Sequence, residues 1–387
     1  MALLLCLMLA FCCAALAHAS KTERKQDKNL PSQDTGFLNR SLTLHGIPYK
    51  YQVYLPAEWK RDDGKQWPII LFLHGRGERG SEGMWQTQIG LPMQVRDHPE
   101  RWPFIIVIPQ CPLNHYWTDN EALTVAMETL DRETAEFHAD LDRTYLTGLS
   151  MGGYGAWELA RSLPQRWAAM AIVAGGVFWS YEPERWKQQA TLPQEYARMV
   201  GKLPIWLFHG TDDTTVLPKQ SELIFEAIKN DGGHIRLWEY QGLKHDCWTR
   251  AYNEPELPRW LLEHRGGKTP EPARLAANER VLIPLHPPAI KLPVQLLDTY
   301  VGEYTEGRNE LPITIYRQGE ELFQKTPQGV VSALAAETSS TFYFQNTSQA
   351  RIVFEHDAEG KVSGFLYRDD RSEVRWELVK PPARNGN

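Results

Sequence analysis

The sequence predicts an α/β fold, a mostly parallel sheet with helices on both faces, followed by a small antiparallel all-β domain. Three observations carry this prediction. Short apolar runs bounded by turn residues recur between residues 47 and 240, which suits strands buried on both faces of a sheet. Helix-like stretches lie between them, and such a βαβα series places helices on both sides. Beyond residue 294 the pattern changes to brief β runs separated by turns, the spacing of an antiparallel meander or small barrel.

Composition agrees with a core-forming chain. At 387 residues it exceeds one ordinary domain, since roughly 150 residues per domain is usual. Hydrophobic residues make up 42% and charged residues 23%, which excludes wholesale disorder. With 42 basic against 48 acidic residues the net charge is −6, so the basic face expected of a nucleic-acid binder is missing. Many of the 14 Trp have to be buried or line a cleft, because so many exposed rings would invite association.

Taken in order, residues 3–17 are a nearly unbroken apolar run without charge, and Ala17-His18-Ala19 ahead of Ser20 fits a small-x-small cleavage site. We expect a signal peptide over residues 1–19, hence a secreted or periplasmic protein with no stable membrane span after cleavage. Cleavage removes Cys6, Cys12 and Cys13 and leaves Cys111 and Cys247 in a compartment where a disulfide can persist.

Strands are then expected at 47–55, 68–74, 104–109, 144–148, 169–174, 203–209 and 235–240, and helices at 122–138, 153–163, 219–230 and 256–264. A first domain over 40–265 follows from these. Residues 266–293 hold Pro270, Pro272, Pro284, Pro287, Pro288 and Pro293, a density that makes a semi-extended linker or a surface strap. The β-rich remainder forms a second domain over 294–380.

Chemistry concentrates at Gly148-Leu149-Ser150-Met151-Gly152, a G-x-S-x-G between an expected strand and an expected helix. Glycines are required there because the sharp turn that lifts the serine hydroxyl brings backbone segments together. The alternative is a tight βα turn carrying a structural serine. A serine needs a base, and the base an orienting carboxylate. The segment His209-Gly-Thr-Asp-Asp213-Thr-Thr-Val216 puts a carboxylate at the C-terminal end of a strand, where open α/β sheets place their ligands. Asp213 fits the loop spacing better than Asp212. Of the 12 histidines, His245 alone follows both the acid loop and a strand. For an oxyanion, backbone N–H donors are expected from Met151 and from the loop after an early strand, with Arg76 first and Gly77 second. Glu78 and Arg79 of that loop either bind substrate or pair with each other. No HExxH or clustered Cys/His spacing occurs, so neither metal nor cofactor is expected.

With these residues in view the chain resembles a secreted α/β-hydrolase of the branch related to dienelactone hydrolase, polyhydroxybutyrate depolymerase and feruloyl esterases. The likeness rests on Leu73-His-Gly-x-Gly-Glu78-Arg-Gly80, Val107-Ile-Pro-Gln-Cys111-Pro, Asp142-Arg-x-Tyr145 leading into Gly148–Gly153, and His245-Asp with Trp248. It covers roughly residues 40–265. The resemblance implies a Ser150, Asp213, His245 triad acting through an acyl-enzyme on a small-molecule or polymeric carboxylic ester. The tail is similar to a small β-rich appendage behind some β-lactamase-like and esterase domains, on the strength of Leu297-Asp-x-Tyr-Val-Gly-Glu-Tyr304. Both cysteines follow strands at the catalytic rim, which leaves a bridge between Cys111 and Cys247 or two unpaired thiols. Trp117, Trp179 and Trp248 fall on loops above the sheet edge and either line a pocket or pack. Competing readings are a serine peptidase of the prolyl-oligopeptidase-like type, and a binding protein whose hydrolase domain has decayed.

Overall fold

The computed structural model of the protein describes residues 35–61, 63–178, 190–266, 278–307, 311–345, 350–369 and 372–380. The expected signal peptide lies outside these residues.

Nine strands form the first sheet: β1 Gly36–Leu44, β2 Ile47–Leu55, β3 Ile69–Leu73, β4 Ile105–Pro109, β5 Thr144–Leu149, β6 Ala169–Val173, β7 Ile205–Gly210, β8 Ile235–Tyr240 and β9 Glu279–Ile283. Their spatial order is β1-β2-β4-β3-β5-β6-β7-β8-β9. β1 and β2 are antiparallel to their neighbours, and every pairing from β4 through β3 to β9 is parallel. β3, β4, β5, β6 and β7 are buried at every position, as continuous apolar runs covered on both faces must be.

The helices are α1 Leu91–Asp97, α2 Asn120–Glu136, α3 Met151–Ser162, α4 Leu192–Val200, α5 Lys219–Asn230, α6 Trp248–Tyr252, α7 Glu256–Glu263 and α8 Val294–Thr299. Side chains alternate across a strand, so one face of the sheet presents Ile69, Leu71, Val107 and Leu146, and the other Ile70, Phe72, Ile106 and Tyr145. Helices α2, α3, α4 and α5 bury apolar stripes against the first face; α1, α6 and α7 cover the second. No helix among the described residues is long and apolar enough to cross a membrane.

The proline-rich span read as a linker contributes to the sheet. Residues 279–283 add a parallel edge strand beside β8, with Arg280 bonded to both carboxylate oxygens of Glu239 and to Glu222. Beyond it the chain is strapped down: the Arg250 guanidinium donates to the carbonyls of Pro284 and Leu285, and the Tyr343 hydroxyl to that of Pro287. The alternating Glu-Arg-Val-Leu-Ile of β9 sits between prolines, which mask it as a strand.

The tail is a closed antiparallel barrel in simple meander order. Its strands are β10 Gly302–Thr305, β11 Ile313–Gln318, β12 Glu321–Lys325, β13 Val331–Ala336, β14 Thr341–Phe344, β15 Arg351–His356, β16 Val362–Arg368 and β17 Glu373–Lys380. Closure pairs β10 with β17 and leaves no open edge. Tyr300, Tyr304, Phe342, Phe354 and Phe365 pack together inside. Strand β13, Val-Ser-Ala-Leu-Ala-Ala, carries a weak β signal because alanine has little β preference.

Candidate active site

Ser150 sits between β5 and α3 with φ 51° and ψ −119°, a strained conformation for a residue with a side chain. The turn is held by contact. A Cβ on Gly148 would collide with the carbonyl of Gly152, and one on Gly152 with the carbonyl of Leu73 on the adjacent strand. The two motif glycines therefore let the start of α3 lie directly against β3 and β5, and the serine is left standing above the sheet edge.

Its hydroxyl begins a continuous hydrogen-bonded chain. Ser150 Oγ lies 2.8 Å from His245 Nε2, and His245 Nδ1 lies 2.7 Å from Asp213 Oδ2. Asp213 is buried and anchored by its other oxygen, which accepts the N–H groups of Thr215 at 2.8 Å and Val216 at 2.9 Å. Burial alone would push the Asp213 carboxyl up, but hydrogen bonds from His209 and His245 outweigh it and hold the group well below the usual carboxylate range. Asp212 is exposed and, among the described residues, its side chain accepts only the neighbouring Thr211 hydroxyl through Oδ1. Of the two aspartates considered, Asp213 is the one that reaches His245.

His209 and His74 are site residues that sequence reasoning passed over. The fully buried His209 bonds the carbonyl of Val216 at 2.8 Å and Asp213 Oδ2 at 3.2 Å through Nε2, and the Ser221 hydroxyl at 2.7 Å through Nδ1. A carbonyl only accepts, so Nε2 carries the proton and donates. His74, also fully buried, accepts the Cys111 N–H at Nε2 and donates from Nδ1 to the Gly75 carbonyl, so it ties the loop after β3 to the end of β4. Desolvation lowers its pKa to about 4, and the ring is neutral. The signal was in the text: His209 opens the His-Gly-x-x-Asp-x-x-Val segment and His74 the His-Gly-x-Gly loop.

A cavity of about 250 Å³ opens beside Ser150 and His245. Arg76, Gly77, Glu78 and Met151 line it, and Ile89, Leu149, Tyr154, Val216 and Trp248 supply apolar wall. Met151 is the first residue of α3, so its N–H has no acceptor within the helix. Both expected oxyanion donors, Met151 and Arg76, border the cavity.

The expected tryptophans divide. Trp248 lines the cavity, its ring edge-on to His245 with centroids 5.5 Å apart. Trp117 does not. It is fully buried below the loop, where its indole N–H donates to the His74 carbonyl and its Cβ leaves no room for a side chain at Gly155. Tyr116, one residue earlier, takes the cavity position. Trp179 lies outside the described residues. The Cys111–Cys247 bridge does not form. Both thiols are free and buried, Cys111 on one face of the sheet and Cys247 on the other, and burial pushes the Cys111 thiol up to about 12 and that of Cys247 further up. Glu78 and Arg79 do not pair. Arg79 turns away to the carbonyls of Arg76 and His115 and lies over the Tyr116 ring, while Glu78 faces the cavity.

Residues 43–253, more than half of the chain, match the family model described as "Putative esterase". The chain belongs to this esterase family. Feruloyl esterase B of Thermothelomyces thermophilus is 25% identical over 234 residues, covering 52% of this chain and 78% of that protein. A solved structure described as a thermostable esterase superposes with a TM-score of 0.50 at 28% identity, covering 59% of this chain and 63% of that one. At the level of the family, the esterase is a carboxylic-ester hydrolase, and its fold is that of esterases.

Proposed function

We propose that this esterase cleaves carboxylic esters through a Ser150, His245, Asp213 triad and an acyl-enzyme. The observation that carries the reading is the unbroken chain from Ser150 Oγ through both nitrogens of His245 to Asp213. His245 Nε2 takes the serine proton as Oγ attacks the acyl carbonyl, and Asp213 holds the ring in the tautomer that leaves Nε2 free to accept it. The N–H groups of Met151 and Arg76 receive the negative charge that develops on the carbonyl oxygen. Collapse of the tetrahedral intermediate expels the alcohol, which takes the proton from His245. Water, deprotonated by the same imidazole, then releases the acid and regenerates the serine. The apolar wall around Trp248 and Tyr154 suits the carbon skeleton of an acyl or aryl group.

The test pairs p-nitrophenyl acetate with a peptide amide and a fluorophosphonate probe. Ester turnover with a stoichiometric adduct is expected, and Ser150→Ala should lose the adduct and at least about 10³-fold in kcat. A folded protein with neither adduct nor ester turnover would overturn the triad, and faster turnover of the amide would make the chain a peptidase. Acetyl, butyryl, feruloyl and glycan esters assayed side by side then rank acyl and alcohol preference. Export is part of the proposal: the apolar run ahead of Ala17-His18-Ala19 supports cleavage after Ala19, and N-terminal sequencing of exported protein should begin at Ser20.

A further inference from the structure

The cavity holds an acid that the triad does not use. Glu78 lines the same space as Ser150 and His245, and its side chain is only 17% exposed. Its Oε2 is buried without a hydrogen-bond partner among the described residues. Nearby groups are otherwise committed. His74 Nδ1, at 4.0 Å, donates to the Gly75 carbonyl, Arg79 is bonded elsewhere, and Gln110 Nε2 reaches the backbone carbonyl of Glu78 rather than its carboxylate. Burial raises the Glu78 pKa, while the Glu78 and Gly75 N–H groups pull weakly the other way. The acid is also close to the nucleophile. A Cβ built on Gly75 would stand 2.9 Å from Glu78 Oε2 and 3.9 Å from Ser150 Cβ, so the two side chains border one small space.

We propose that Glu78 is a specificity residue which accepts a hydrogen bond from a free hydroxyl within about two carbons of the scissile ester. The inference rests on the esterase reading above and narrows its substrates to hydroxylated esters. A desolvated carboxylate in a cavity that Ile89, Leu149 and Trp248 also line is stabilised by a donor that arrives with the ligand. An ester lacking the hydroxyl leaves it unpaired, and that difference discriminates between them.

Two matched pairs test this and separate the two sides of the ester. Ethyl lactate against ethyl propanoate places the hydroxyl on the acyl side, and 2-hydroxyethyl acetate against ethyl acetate places it on the alcohol side. With each kcat/KM normalised to the ester's rate in alkali, the hydroxylated member of at least one pair should lead by about tenfold or more in the wild-type enzyme. Glu78→Leu should bring that ratio towards one and Glu78→Gln to an intermediate value; fluorophosphonate labelling of Ser150 reports that both variants are folded. No preference in either pair, or a ratio unchanged in both variants, overturns the role of Glu78. Absence of turnover of all four esters by the wild-type protein overturns the esterase reading beneath it.

Discussion

Asp213 receives hydrogen bonds from two imidazoles and two backbone N–H groups, which makes it the most heavily partnered group of the site. Its folded pKa is depressed. The stability it contributes is therefore present above the ordinary carboxylate value and lost as pH falls through the lower folded value. Asp213→Asn should flatten the dependence of unfolding free energy on pH below about 4, read by urea titration at successive pH values. His74 acts higher on the scale. Its pKa falls from 6.5 to about 4, so the unfolded state binds the extra proton between those values, and stability drops as pH falls through that window. The drop should reach about 3 kcal/mol by pH 4 and be absent in His74→Gln, whose amide retains a donor and an acceptor. His209 is a positioning residue. In His209→Ala the buried Val216 carbonyl and Ser221 hydroxyl lose their partner, at about 1–3 kcal/mol of stability. The less firmly held Asp213 should lower kcat by about 10²-fold with KM little changed.

At the scale of elements, the site is an intersection of four loops on one sheet edge. The turns after β3, β5 and β7 bring Arg76, Ser150 and Asp213, and the turn after β8 brings His245. The approach of α3 to β3 sets the height of the serine. Gly152→Ala would force them apart, and we expect a loss of more than about 10²-fold in ester turnover together with a lower melting temperature, measured on the same preparation. The tryptophans are also explained at this scale. Trp206, Trp238 and Trp260 form a cluster of edge contacts, with centroids 4.7 and 5.3 Å from Trp206, that packs α7 onto β7 and β8. Trp59, Trp67, Trp102, Trp117, Trp157 and Trp167 are buried as well, so most of the described indoles build core and only Trp248 faces the reaction space.

For the whole molecule, the segment between sheet and barrel is what joins them. β9 closes the far edge of the sheet, and residues 284–290 run on to the barrel, where Ile290 N–H bonds the Ala336 carbonyl and His286 stacks on Tyr343 at 4.1 Å. A chain ending at Arg265 would expose β8 and lose the Arg280 ion pairs with Glu239 and Glu222. It should melt about 5–10 °C below a chain ending at Leu285, which keeps β9, since a five-residue ladder contributes a few kcal/mol. Scanning calorimetry of the two chains checks this.

The fold class, the positions of seven sheet strands along the chain, the nucleophile turn and the candidate serine, acid and histidine segments were all legible in the sequence. They depend on local periodicity, turn chemistry and spacing along the chain, which a single strand or loop carries by itself. The partners of those segments were not, because they are set by which atoms meet across elements. Only packing put Trp117 under the loop and Tyr116 in the cavity, and placed Cys111 and Cys247 on opposite faces of one sheet. The same contacts recruited β9 from among prolines, and they turned Arg79 away so that Glu78 lines the cavity of Ser150 with its Oε2 unpartnered among the described residues.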